Sequence, residues 1–134
     1  MKLEELQIEE RGGMSADKKQ IYIVDDDESV RRALGILLGT FGFEVKTFSS
    51  AEEFFSAVSP SDPGFLILDI NMPGLNGWAT LQRLYMSGSK RPVIVITADY
   101  KDGLKEQALK AGAVGFFQKP IDNQELIDLI NKAY

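Results

Sequence analysis

The sequence contains no cysteine and no histidine. The first absence excludes disulfides, thiolate nucleophiles and Cys-based zinc sites, and the second excludes imidazole bases and the remaining His-based zinc chemistry. Any chemistry must therefore run on carboxylates, lysine, hydroxyls and backbone. Long apolar runs are missing as well: none approaches the ~18 residues of a membrane span, and the N-terminus is acidic where a signal peptide would be basic and apolar. A cytoplasmic protein that does not bind membranes is expected. Positive charge is in deficit, with 15 Lys and Arg against 20 Asp and Glu for a net charge of −5. The clustered cations needed for direct nucleic-acid binding are thus not expected either. The rest of the composition is ordinary. With 134 residues, 44% hydrophobic and 26% charged, the chain suits one domain whose core buries roughly two-thirds of the unfolded surface.

Residues 1–17 read as a flexible, charge-dense tail with Gly12-Gly13 and only Leu3, Leu6 and Ile8 as apolar anchors. A short helix over Lys2–Glu10 would be marginal without packing, and Met14-Ser15 is an alternative start of the chain. The domain itself is expected over residues 18–134. There, short apolar runs alternate with helix-period segments. Ile21–Val24, Val45–Phe48, Phe65–Leu68, Val93–Ile96 and Gly115–Gln118 read as strands. Between and after them come helices carrying Val30, Leu34, Leu37 and Leu38; Phe54, Phe55 and Val58 behind a Ser50 cap; Leu81, Leu84 and Tyr85; Leu104, Ala108, Leu109 and Ala111; and Leu126, Ile127, Leu129 and Ile130. Alternation of this kind implies right-handed βαβ crossovers and a parallel sheet covered on both faces, an α/β doubly wound fold. Such sheets bind ligands beyond the carboxyl ends of their strands, where strand order reverses.

The chemically informative residues fall at those ends. Strand one stops at Asp25-Asp26-Asp27, strand three at Asp69, strand four at Thr97 and strand five at Lys119-Pro120. Carboxylates from strands one and three would crowd a single crevice and raise one another's pKa, a cost that a hard divalent cation relieves; Mg²⁺ is the expected guest. A metal-neutralised Asp approached by a lysine and a threonine hydroxyl has the parts to accept a phosphoryl group. Taken singly, each residue has a plainer explanation. An Asp after a strand is most often a cap or a turn residue, and Asp27 with Ser29 is expected to cap the first helix. Trp78, nine residues past Asp69, is expected to serve ordinary packing.

The stretches Ile23-Val24-Asp25-Asp26-Asp27-Glu28, Leu66–Gly74 with Asn76-Gly77, Val95-Ile96-Thr97-Ala98, and Ala111-Gly112-Ala113 through Lys119-Pro120 resemble the receiver domain of two-component response regulators. Asp-Asp-Asp-Glu-Ser-Val-Arg with Ala-Gly-Ala-Val-Gly-Phe is most similar to receivers that precede a LuxR-type helix-turn-helix domain. The resemblance implies a flavodoxin-like (βα)5 fold of strand order 2-1-3-4-5. It makes Asp69 the phosphoacceptor and Asp26 the main acidic Mg²⁺ ligand, with Asp25, Asp69 itself and the backbone carbonyl of Asn71 completing the protein's share. Thr97 and Lys119 contact the phosphoryl group, and small Ala98 leaves room for it. Lys119-Pro120 is expected to be cis. Asn71 and Asp99 fall at positions that tune phosphate lifetime. Phe116 falls at the switch aromatic, where many members have tyrosine, so a switch that needs a phenolic hydrogen bond there cannot operate.

The implied function is phosphorelay signalling: Asp69 is phosphorylated by a histidine kinase, and the surface of the fourth helix, fifth strand and fifth helix switches to control transcription or another output. A homodimer formed on phosphorylation and a DNA-binding output domain outside this chain are the further partners implied. Any catalysis is confined to the domain's own phosphorylation and dephosphorylation. Three other functions compete. A Mg²⁺-dependent phosphohydrolase with an Asp nucleophile, similar to haloacid-dehalogenase enzymes, wants a second Asp where Asn71 stands. An FMN carrier would have its phosphate repelled by Asp25-Asp26-Asp27. A receiver-like dimerisation module without phosphorylation would not need the motif residues, all of which are present.

Overall fold

The computed structural model describes residues 19–71 and 77–134. The expected tail, its Lys2–Glu10 helix and the Met72–Asn76 part of the loop after strand three lie outside the described residues.

Five strands and five helices alternate: β1 (Gln20–Val24), α1 (Glu28–Thr40), β2 (Glu44–Phe48), α2 (Ala51–Ala57), β3 (Phe65–Asp69), α3 (Gly77–Met86), β4 (Val93–Thr97), α4 (Leu104–Lys110), β5 (Gly115–Gln118) and α5 (Asn123–Ala133). All strand pairs are parallel and the order is β2-β1-β3-β4-β5, so the expected doubly wound sheet of order 2-1-3-4-5 is what the chain forms. The apolar runs are the central strands because only there are both faces covered. Every residue of β3 and β4 is buried, whereas edge strand β2 exposes Glu44, Lys46 and Thr47.

Alternate strand residues feed two cores. Tyr22, Val24, Leu66, Leu68, Val93 and Val95 pack with Phe54, Leu81 and Leu84 under α2, α3 and α4, while Ile21, Ile23, Phe65, Ile67, Ile94 and Ile96 pack with Leu34, Leu38, Leu126 and Ile130 under α1 and α5. Gly115 is a point of close approach between α5 and the sheet: a Cβ there would collide with the Leu129 side chain. Helix starts are set locally. Asp27 caps α1 by accepting from Ser29 N at 2.9 Å, Ser50 caps α2 by accepting from Glu53 N at 3.1 Å, and Asp122 caps α5 by accepting from Glu125 N at 3.0 Å.

Two side chains expected on the apolar faces are not there. Tyr85 is 73% exposed and Leu109 43% exposed. Tyr85 lies at the margin of the α3 face that buries Gly77, Thr80, Leu81 and Leu84, and Ala108 alone is buried on the short α4. Strands three and four each extend one residue further than their apolar runs, so Asp69 and Thr97 belong to the ladder itself, Asp69 paired with Ile96 and Thr97 with Gln118.

Candidate functional site

Three adjacent strands deliver polar groups to one crevice at their carboxyl ends. Asp25 directly follows β1, Asp69 ends β3 and Thr97 ends β4; all three side chains are buried in a protein whose other buried residues are almost all apolar. Strand register requires this. Val24 is paired with Leu68, so Asp25 lies beside Asp69, while Asp69 is paired with Ile96, which sets Thr97 one residue further along β4.

Each buried carboxylate is partly held by backbone. Asp25 Oδ1 accepts from Asp27 N and Asp69 Oδ1 accepts from Asn71 N, both at 2.9 Å. Their other oxygens face Lys119, whose Nζ lies 2.9 Å from Asp25 Oδ2 and 3.4 Å from Asp69 Oδ2. Asp25 Oδ2 nevertheless makes no hydrogen bond of good geometry. Asp26, next along the chain at a bend past the end of β1, is exposed, yet a carboxylate oxygen from each of Asp25, Asp26 and Asp69 lies within 4.8 Å of the others. One ammonium against three carboxylates leaves a deficit of two positive charges when all are ionised. A buried oxygen without a hydrogen bond and an all-oxygen donor set fit a hard divalent cation.

The electrostatics follow from the crowding. Burial, reinforced by the negative charge of Asp25, pushes the Asp69 pKa up to about 6 against the pull of the Asn71 N–H and Lys119. For Lys119, burial disfavours the ammonium, but its close pairing with Asp25 and then Asp69 outweighs it, and its pKa is raised.

Thr97 Oγ1 accepts two hydrogen bonds, from Asn71 Nδ2 at 3.2 Å and from Asp99 N at 3.0 Å. Asn71 and Asp99 thus meet at the same hydroxyl. Lys119 N donates to the Thr97 carbonyl at 2.8 Å, and the Lys119–Pro120 bond is cis. Ala98 is exposed beside Thr97. Phe116 is not in this group: it lies two pairs earlier on β5, opposite Val95, and its half-buried ring packs against the core under α2–α4. Asp27 is exposed and occupied as the α1 cap, and Trp78 packs against the same core as Phe116. The sequence reading missed Tyr100, whose hydroxyl donates to the Lys119 carbonyl at 2.6 Å. It also missed Arg31, which donates to the Asp25 carbonyl at 2.7 Å. Neither pairing has a signal in the spacing.

Residues 21–131 match the family model of the response regulator receiver domain. This chain belongs to that family. Among curated relatives, the receiver is 38% identical over 123 residues to the response regulator protein TmoT of Ectopseudomonas mendocina, covering 92% of this chain and 56% of that protein. It is 40% identical over 120 residues to the response regulator protein TodT of Pseudomonas putida strain F1, covering 90% and 53%. The receiver therefore spans about half the length of the curated relatives it matches. Among solved structures, FixJ-N superposes with a TM-score of 0.78 at 36% identity, over 87% of this chain and 93% of that one. The response regulator StyR gives 0.80 at 39% identity, over 86% and 58%. The chain is thus a two-component receiver domain, a signalling module. Among the described residues no helix is long and apolar enough to cross a membrane.

Proposed function

We propose that this receiver, residues 18–134, accepts a phosphoryl group on Asp69 from a histidine kinase in a Mg²⁺-dependent reaction and answers by changing its α4–β5–α5 surface. The observation that carries the reading is the position of Asp69: it ends the central strand, is buried, and has one oxygen turned to Lys119 and to the carboxylates of Asp25 and Asp26. Above about pH 6 it is ionised and able to attack. Asp69 Oδ2 attacks phosphorus in line, a P–O bond forms, and the bond from phosphorus to the donor nitrogen breaks, its electron pair leaving with the donor. Lys119 neutralises charge on the transferred oxygens, and the Thr97 hydroxyl turns to donate to one of them. Asp25, Asp26, Asp69 and the Asn71 backbone carbonyl are the residues that would hold Mg²⁺, whose chemistry when bound is to offset oxygen charge on the phosphoryl group.

Further proposals follow from kinship. Relatives of this length ratio include the transcriptional regulatory proteins TdiR of Thauera aromatica and FixJ of Bradyrhizobium diazoefficiens. A LuxR-type DNA-binding output outside these residues, with dimerisation on phosphorylation, suits a receiver of this kind. Residues 1–17 would be an appended tail with no part in the reaction. The domain would act in the cytoplasm as a phosphoacceptor whose only catalysis is its own phosphorylation and dephosphorylation. The direct test is intact-mass analysis after incubation with acetyl phosphate and Mg²⁺. One phosphoryl adduct is expected on wild type and none on Asp69→Asn; an undiminished adduct on the variant would move the acceptor elsewhere.

A further inference from the structure

The two loops that bring Thr97 and Lys119 to the acceptor are tied together by one phenol. Tyr100 lies three residues past Thr97, between β4 and α4, and is 64% exposed, so little burial fixes its ring. Its hydroxyl is fixed instead, donating to the Lys119 carbonyl at 2.6 Å. Gln118 Nε2 adds a longer bond to the Asp99 carbonyl at 3.3 Å. Lys119 is anchored at its other end, where Nζ meets Asp25 and Asp69.

Movement of Thr97 loads this tie. Its Oγ1 accepts from Asp99 N at 3.0 Å, and Asp99 is bonded directly to Tyr100. Turning the Thr97 hydroxyl toward a phosphoryl group on Asp69 gives up or drags that N–H, and with it the start of the β4–α4 loop. The loop is free to follow only as the Tyr100–Lys119 bond stretches or opens. Phe116 cannot supply a competing phenol: its ring lines the same cavity of about 660 Å³ between α4 and β5, with Tyr100, Leu104, Gln118 and Pro120, but carries no hydroxyl.

We infer that Tyr100 is a latch on the resting state, a positioning residue that opposes rearrangement of the β4–α4 loop by holding the Lys119 carbonyl. The inference rests on the phosphoacceptor reading of Asp69. A phosphoryl group can shift the loop only through contacts that differ between its two arrangements, and the Tyr100 bond is a contact of the resting arrangement. Its removal favours the loaded form.

The test titrates the full chain with beryllofluoride at saturating Mg²⁺, comparing wild type, Tyr100→Phe and Asp69→Asn, and follows amide hydrogen exchange in the metal-free proteins. A neutral hydrogen bond shifts an equilibrium by about fivefold, so Tyr100→Phe should bind beryllofluoride about fivefold more tightly than wild type. In the same variant, exchange should speed up over residues 98–103 and stay unchanged in the central strands. Equal or weaker binding by Tyr100→Phe overturns the latch, and so does faster exchange spread over the whole sheet, which marks general destabilisation. If wild type shows no binding that Asp69→Asn abolishes, the acceptor reading fails and the latch with it; binding by wild type with no gain in Tyr100→Phe sinks the latch alone.

Discussion

Asp25 and Asp69 share one ammonium unequally, Lys119 Nζ lying 2.9 Å from the first and 3.4 Å from the second. The closer partner is the wholly buried carboxylate, whose facing oxygen has no hydrogen bond of its own. Asp69 Oδ2 accepts a hydrogen bond from Lys119 Nζ at the long distance of 3.4 Å, which suits a group that must leave the pair to attack.

Replacing Lys119 with Met should therefore cost more than a surface pair does. It leaves two buried carboxylates facing each other with no cation, and breaking a partly buried pair of this sort is expected to cost about 2 kcal/mol in Mg²⁺-free urea melts at pH 8. The Lys119 pKa is raised in the fold above its ordinary 10.5, so its contribution is complete below that pH and fades only as pH climbs through the folded value. A wild-type stability that falls between pH 7 and 9 because of this pair would contradict it.

Asp69 has the opposite sign. Its pKa in the fold, about 6, lies above the ordinary 3.8, so the folded state holds the proton more tightly than the unfolded one. Stability of the metal-free protein should then decline as pH rises from about 4 to 6 and level off above that. Asp69→Asn removes this penalty. It should be more stable than wild type at pH 7.5 by on the order of 1 kcal/mol, after allowance for solvent screening, and equal to it below pH 4. Thermal melts across this range in the presence of a chelator decide the point, and a variant less stable than wild type at neutral pH would refute it.

Mg²⁺ should raise the melting temperature of wild type, as any ligand of the native state does. The effect should be weakest in Asp26→Asn. Asp26 is exposed and makes no hydrogen bond or ion pair among the described residues, so the substitution should leave metal-free stability within about 0.5 kcal/mol while removing one acidic ligand. Calorimetric titration that finds equal Mg²⁺ affinity in the two proteins would remove Asp26 from the site.

Gly77→Ala should damage fold and site together. A Cβ at this position would meet the backbone of Ile70 and lie 2.8 Å from the Asp69 carbonyl, a contact that cannot be relieved by turning a flexible side chain. Overpacking of this kind costs about 1–3 kcal/mol, and the strain falls on the residue that follows the acceptor. Urea melts should show the loss, and phosphorylation by acetyl phosphate should slow even where the variant is fully folded. A variant of wild-type stability would mean that the start of α3 moves away freely.

Much of this protein was legible in its amino-acid order. The runs Ile21–Val24, Phe65–Leu68 and Val93–Ile96 are apolar on both sides because a central parallel strand has no solvent face, and the caps Asp27 and Ser50 act within three residues of themselves. Strand ends then told where Asp25, Asp69, Thr97 and Lys119 should gather, since parallel register aligns the carboxyl ends of neighbours. Tertiary structure decided what depends on distance through space. Asp25 and Asp26 are indistinguishable as letters, yet the chain, bending just past the end of β1, buries one and exposes the other. Tyr85 and Leu109 fit their helical periods and still face solvent, because those periods do not say where the core ends. The Tyr100–Lys119 bond joins residues 19 apart through two loops, and only the packed sheet, by fixing where β4 and β5 stop, sets a phenol within reach of that carbonyl.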